Sequence, residues 1–319
     1  MKKVSVIVPM YYEEEVAEEC YKRLKKVLEG LSEKYLYEII FINDGSKDKT
    51  LNILENIAQD NKNVKVISFS RNFGHQCAVT AGLKYITGDA IVIIDADLQD
   101  PPELIPEMLK LWEDGNEVIY GKRKSREGES KFKLLTASMF YKTLNALSDV
   151  EIPKDTGDFR LVDRKVVEVI NSLPEHNKFL RGLFSWVGFK QIPFEYERKE
   201  RVAGKTKYPL SKMLKLAQDG IFSFSTKPLR IVGTMGIISI LISIIILIYS
   251  ILSYIFNWND LASGWTSMMV TMTFLGGMIL ISLWMIGEYV GRIYEETKRR
   301  PQYIIERTFN IGEGNKEEK

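Results

Sequence analysis

The stretch Ala90-Ile91-Val92-Ile93-Ile94-Asp95-Ala96-Asp97-Leu98-Gln99-Asp100-Pro101-Pro102 decides the fold. Its first five residues are apolar, rich in β-branched side chains and not alternating, which suits a strand buried on both faces of a parallel sheet. Two carboxylates and an amide emerge directly after it. In an extended segment residues two apart point the same way, which would set Asp95, Asp97 and Gln99 on a common side. Hard divalent cations such as Mg²⁺ or Mn²⁺ take oxygen ligands and keep open positions for phosphate oxygens. An isolated pair of acids at this spacing is more often a solvated turn; its place after a buried strand makes metal binding the better reading.

Working outward, the same grammar repeats. Val4 to Val8, Glu38 to Ile42 and Val64 to Phe69 are short apolar runs, and Glu13 to Leu31, Thr50 to Gln59 and Cys77 to Ile86 read as the helices between them. The alternation β-α-β-α-β-α-β predicts an α/β fold with a mostly parallel sheet and helices on both faces. Ligands in such sheets sit where the carboxyl ends of the strands open. The loops at that edge are Pro9 to Glu13, Asn43 to Ser46, Ser70 to Gly74 and Asp95 to Pro102, the second of which also reads as a cap for the helix from Thr50.

The 319 residues carry a net charge of +2 with 45% hydrophobic residues. Nearly all charge lies before Arg230 or after Glu288. Ile231 to Phe256 and Thr266 to Gly287 are each long enough for a membrane-spanning helix. Lys227 and Arg230 precede the pair and Lys298, Arg299 and Arg300 follow it, so the positive-inside rule puts both large ends in the cytosol and the tip, flanked by Trp258 and Trp265, outside. Four parts follow: a cytosolic domain over 1–208, an amphipathic interface region over 209–230, two transmembrane helices within 231–290, and a cytosolic tail over 291–319, disordered beyond Asn310. Gly276-Gly277 would permit close helix approach and hence a homo-oligomer. Cys20 and Cys77 read as free buried thiols. There is no GxGxxG after the first strand, and Gly204-Lys205-Thr206 lacks the first glycine and the strand of a phosphate-binding loop. Nothing points to nucleic acid.

Several segments together resemble a known family. They are Val8-Pro9-Met10-Tyr11-Tyr12-Glu13-Glu14, Asn43-Asp44-Gly45-Ser46-Lys47-Asp48, Arg71-Asn72-Phe73-Gly74-His75, Asp95 to Glu103, and Thr156-Gly157-Asp158-Phe159-Arg160-Leu161. The chain resembles, over nearly its whole length, the GT-A fold (nucleotide-diphospho-sugar transferase) family 2 glycosyltransferases, in the polyprenyl-phosphate branch related to dolichol-phosphate mannose synthase and bactoprenol glucosyltransferase. The paired C-terminal helices resemble the latter.

The resemblance implies inverting transfer of a sugar from a nucleotide-sugar to a polyprenyl phosphate such as undecaprenyl phosphate, with Mg²⁺ or Mn²⁺. UDP-glucose is the first choice of donor, with UDP-N-acetylglucosamine, UDP-galactose and GDP-mannose behind it. It further implies that Pro9, Tyr11, Glu13 and Asp44 hold the nucleoside, that Asp95 and Ala96 contact the nucleotide, and that Asp97 and Gln99, with Asp95 beside them, face the metal. Asp158 matches the proposed base, Arg123 a phosphate contact, Lys131, Lys133 and Thr136 the acceptor-phosphate region, and Arg201, Lys205 and Lys207 a loop over the donor. His75 reads as structural. A lipid phosphate is largely ionised near neutral pH, so Asp158 could orient the acceptor or stabilise positive charge instead. A processive polysaccharide synthase would carry a QxxRW motif and more membrane helices; an inactive scaffold would have lost Asp97, Gln99 or Asp158.

Overall fold

The computed structural model describes residues 1–124, 153, 156–197, 222, 225–256 and 264–312. An eight-stranded sheet runs in the order β7-β5-β6-β4-β1-β2-β3-β8. Its strands are β1 (Lys2–Met10), β2 (Tyr35–Asn43), β3 (Val64–Phe69), β4 (Ala90–Ile93), β5 (Val118–Arg123), β6 (Thr156–Asp163), β7 (Gln191–Tyr196) and β8 (Ile305–Phe309). The pairs β1–β2, β1–β4, β2–β3 and β5–β7 are parallel, whereas β6 is antiparallel to β4 and β5, and β8 to β3.

The helices are α1 (Ala17–Glu29), α2 (Thr50–Asp60), α3 (His75–Tyr85), α4 (Ile105–Glu113), α5 (Arg164–Ser172), α6 (Leu180–Trp186), α7 (Lys227–Ile255) and α8 (Trp265–Lys298). Side-chain alternation along the strands divides the core into two layers. Val4, Val6, Val8, Ile39, Phe41 and Val92 pack with residues of α1, α2 and α4. Ile7, Ile40, Ile42, Ile91 and Ile93 face the other way, toward α3, α5 and α6. The first helix starts at Ala17 rather than Glu13, because the Glu13 carbonyl accepts the Val16 and Ala17 N–H groups in a turn ahead of it.

Strands β1 to β3 extend in one direction from β1, and β4 lies on its other side. The strand order therefore reverses between β1 and β4, and the crevice that such a reversal leaves opens at the carboxyl ends of those two strands. Pro9 to Glu13 and Asp95 to Asp97 follow those ends.

The C-terminal segment departs from expectation. Ile305–Phe309 is not tail but an edge strand. The Ser70 N–H donates to the Ile304 carbonyl, and the Phe69 and Tyr303 rings stack at 5.0 Å. The Asn310 carboxamide donates to the carbonyls of Ala58 and Val64 at 2.6 and 2.8 Å. A charged stretch can thus pair at an edge because only one face is buried. Residues 313–319 lie outside the described residues.

Helices α7 and α8 are long and apolar enough to cross a membrane by length and composition, and their apolar side chains are exposed. Helix α8 continues to Lys298, eleven residues past the apolar run read from the sequence. Of the amphipathic region expected over 209–230, only Phe222 and 225–230 are among the described residues, and Lys227 to Arg230 already belong to α7; residues 257–263 of the hairpin tip lie outside them.

One buried carboxylate anchors the opposite end of the sheet. Glu38 lies 2.9 Å from Lys3 and 2.7 Å from Lys65, and it accepts from the Ser5 hydroxyl and the Thr87 N–H. Burial alone would raise its pKa, but the donors from Lys65, Ser5, Lys3 and Thr87 bring it down from 4.5 to about 2. The folded pKa is below the unfolded one, so this stabilisation is complete above about pH 4.5 and fades as pH falls toward 2. Glu38→Gln should cost about 3 kcal/mol at pH 7. Chemical denaturation of wild type and variant across pH checks this; their difference should shrink in acid.

Candidate active site

A cleft of about 850 Å³ opens over the carboxyl ends of β1, β2, β3 and β4. Pro9, Tyr11, Glu13, Asp44, Asp95, Ala96 and Asp97 all line it, so seven residues singled out from sequence share one cavity. Asn72 to Ala78 with Thr80 form another side, and His176 to Phe179 with Gln302 a third. The last wall is unexpected. Gly287, Glu288, Gly291, Arg292 and Glu295 of α8 also line it, and their spacing of three and four residues places them on one helical face.

Asp44 is not the cap of α2. Its carboxylate accepts the N–H groups of Phe73 and Gly74 at 2.7 and 2.9 Å and the Asn72 carboxamide at 2.8 Å. Asp48 instead accepts the Thr50 N–H. Burial raises the Asp44 pKa, with the N–H donors of Phe73 and Gly74 opposing it. Gly45, at φ +67°, makes this junction possible: a Cβ there would lie 2.3 Å from the Arg71 carbonyl carbon.

The segment after β4 is a turn rather than a continued strand. Leu98 adopts a left-handed φ of 57°, and the Asp97 carboxylate accepts the Gln99 N–H at 3.1 Å. Asp95 and Asp97 face the cleft, whereas Gln99 is not among its lining residues. The expected alternation is therefore not what brings Asp95 and Asp97 to the cleft: β4 ends at Ile93, the chain turns from Ala96, and Ala96 lines the cleft with them. Among the described residues no group of three or more His, Cys, Asp or Glu is gathered to hold a metal by itself. Two carboxylates at the rim of an open cleft do fit a Mg²⁺-like ion whose shell is completed by substrate phosphates and water.

Asp158, on β6, is nearly buried and paired with Arg181 of α6 rather than with Arg160. The Arg181 fork donates from Nε to Oδ1 at 2.7 Å and from Nη2 to Oδ2 at 2.9 Å. Arg160 instead donates to the backbone carbonyls of Gly157 and Asp158. Burial would raise the Asp158 carboxyl, but the Arg181 charge and fork, with His75 beside them, hold it well below the usual range. His75, read from sequence as structural, is a site residue: Nε2 lies 3.0 Å from Asp158 Oδ2 and 3.8 Å from Asp95 Oδ1. Burial opposes protonation of this ring, yet the two acids push its pKa up to about 9. Burial pushes Asp95 up, and His75 alone among its nearest charges pulls it down.

Arg123 does not line the cleft. Its guanidinium covers Gly157, where a Cβ would meet Nη2 at 2.8 Å. Burial lowers its pKa, but the charges of Asp100 and Tyr196 prevail and raise it. Asp100 in turn accepts a short hydrogen bond from the Tyr196 hydroxyl. Cys77 lines the cleft, half-buried, and burial pushes its thiol up to about 11, so it stays protonated at neutral pH. Lys131, Lys133, Thr136, Arg201, Lys205 and Lys207 lie outside the described residues.

Residues 5–170 match the family described as glycosyl transferase family 2. The chain belongs to this family. It is 50% identical to an uncharacterized glycosyltransferase of Bacillus subtilis, YkcC, over 96% of this chain and 94% of that one. It is 45% identical to a prophage bactoprenol glucosyl transferase homolog of Escherichia coli, over 96% and 99%, and 44% identical to the bactoprenol glucosyl transferase of Shigella phage SfX, over 95% and 98%. Among solved structures, glucosyl-3-phosphoglycerate synthase of Mycobacterium tuberculosis with Mn²⁺ and UDP-glucose aligns at a TM-score of 0.46 and 21% identity, covering 69% of this chain and 78% of that one. The chain is thus a glycosyltransferase of family 2.

The sequence missed Arg181 and the α8 wall. Arg181 stands 23 residues from its partner on a separate helix, and the charged turns of α8 read as flank. One consequence of the Asp44 junction is open to measurement. Gly45→Ala should destabilise the protein by about 1–3 kcal/mol through strain and the clash with Arg71, seen as a lowered denaturation midpoint with slope unchanged.

Proposed function

We infer that this family 2 glycosyltransferase moves a hexose, from UDP-glucose before other nucleotide-sugars, onto a polyprenyl phosphate such as undecaprenyl phosphate at a membrane surface. One observation carries the reading: the cleft lined by the strand-end acids is closed on its far side by α8, directly past a run long and apolar enough to cross a bilayer. A soluble donor and a bilayer-held acceptor need such a meeting place. The relatives named bactoprenol glucosyl transferase support it.

In this reading the basic flanks of the hairpin are cytosolic, and α7 and α8 cross the membrane. Pro9, Tyr11, Glu13 and Asp44 receive the nucleoside and Asp95 to Asp97 the diphosphate. Asp95 and Asp97 would hold Mg²⁺ or Mn²⁺, which when bound supplies positive charge to the departing diphosphate. Arg201, Lys205 and Lys207 are assigned to donor phosphates, and Lys131, Lys133 and Thr136 to the acceptor phosphate; Arg123, off the cleft, is left with neither. A phosphate oxygen of the lipid attacks the anomeric carbon as the bond to the diphosphate oxygen breaks, its electron pair leaving with the diphosphate, and the configuration inverts.

Asp158 is ill suited to be a base. A carboxylate held by an Arg fork and far below its ordinary pKa accepts a proton weakly, and a phosphate monoester with a second pKa of about 6 needs little help. Its role in this reading is to hold His75 and Arg181 in place behind the cleft wall.

Transfer of radiolabelled sugar from a panel of UDP- and GDP-sugars to undecaprenyl phosphate tests the reaction. Label should pass from one donor, stop with EDTA and fall at least about 100-fold in Asp97→Ala; lipid product from no donor, with nucleotide still bound, would exclude the acceptor. The rate of the wild type should decline below about pH 6 with the acceptor's second ionisation. That limb should move when a phosphonate of different pKa replaces the phosphate, and a limb indifferent to the acceptor would return the base role to a protein group.

A further inference from the structure

The nearly buried Asp158 does not itself line the cleft; His75 and Asp95 do. His75 Nε2 stands between the two carboxylates at 3.0 and 3.8 Å, nearer to Asp158. The ring begins α3, Asp95 follows β4, Asp158 sits on β6, and Arg181 holds Asp158 from α6. Three separately folded segments, meeting at a single ring nitrogen, are thereby joined across the mouth of the site. The far side of Asp158 is already fixed twice, by the Arg181 fork and by Arg160 on the Gly157 and Asp158 carbonyls, and Arg160 is itself held over the Phe184 ring of α6 at 4.5 Å. What is left adjustable is the His75 side.

We propose that His75 is a positioning residue that couples the donor-side acid Asp95 to Asp158 and, through Arg181, to α6. A ligand that draws Asp95 toward the cleft changes the ring's contact with Asp158, and this movement reaches α6 through the fork. The proposal rests on the donor assignment above, but not on the identity of the acceptor.

The test is hydrogen exchange on the full chain in detergent, with and without UDP and Mg²⁺, for wild type, His75→Ala and His75→Gln. In wild type, UDP should slow exchange in the Pro9 to Glu13 loop and also in α6. His75→Ala should keep the first effect and lose the second. His75→Gln, whose carboxamide offers a donor at similar reach, should restore part of it. In parallel, His75→Ala should lower kcat about 10- to 100-fold with donor KM little changed, and the loss should not add to that of Arg181→Ala because both act through Asp158. Protection of α6 that persists in His75→Ala, additive losses, or a fall in UDP affinity matching the fall in kcat would each overturn the coupling. Absence of any UDP protection in wild type would remove the donor assignment itself and the coupling with it; UDP protection of the loop without α6 would remove the coupling alone.

Discussion

Crowding of carboxylates is the constraint around which this molecule is arranged. Asp95, Asp97, Asp100 and Asp158 converge where β4 ends and β6 begins, and like charges in a partly desolvated space raise one another's pKa. The fold answers each differently. Asp158 receives a two-pronged Arg181, Asp100 the Tyr196 hydroxyl and the nearby charge of Arg123, and Asp97 the Gln99 N–H. Asp95, on the cleft surface, has among the described residues only the His75 ring, at 3.8 Å, as an ion-pair partner. Compensation is therefore strongest in the interior and weakest at the rim, leaving unbalanced negative charge where a cation and a diphosphate can approach together.

The same constraint explains what the sequence reveals. Buried parallel strands advertise themselves as unbroken apolar runs, and their carboxyl ends are then fixed by topology, so Pro9, Tyr11, Glu13, Asp44, Asp95 and Asp97 could be grouped before any coordinates. Partners supplied from a distance leave no such mark. Arg181 is one arginine in a helix of ordinary composition, and only the sheet order brings it to Asp158. A lone histidine opening a helix reads as structural, and nothing in its neighbours marks it as the group that stands between two acids. The turn at Leu98 was equally hidden, since a left-handed leucine contradicts local preference and is held by the burial of its side chain.

Helix α8, if it crosses the bilayer as proposed, is one element that meets two solvents. Its 34 residues extend about 51 Å at 1.5 Å per residue, against a hydrocarbon thickness of about 30 Å. The excess is not idle length. Glu288, Arg292 and Glu295 appear on one face only after the uncharged turns end, and Glu296 accepts the His176 N–H from the catalytic domain. The chain then returns to pair β8 with β3, so the helix is fastened at its wall contacts and again through the sheet.

That double fastening bears on how a lipid acceptor would be chosen. A catalytic domain tethered by a loose linker could meet a phosphate at any depth, and selectivity would rest on the headgroup alone. Here the helix proposed as the anchor is also the wall of the cleft, so the separation between bilayer and strand-end acids is set by covalent geometry and by the Glu296 and β8 contacts. A long polyprenyl chain would hold its phosphate at the bilayer surface, the same reference plane from which α8 measures. On the proposed reading, donor recognition and acceptor recognition need no common chemistry: one would be read by groups at the ends of β1, β2 and β4, the other by height along a helix.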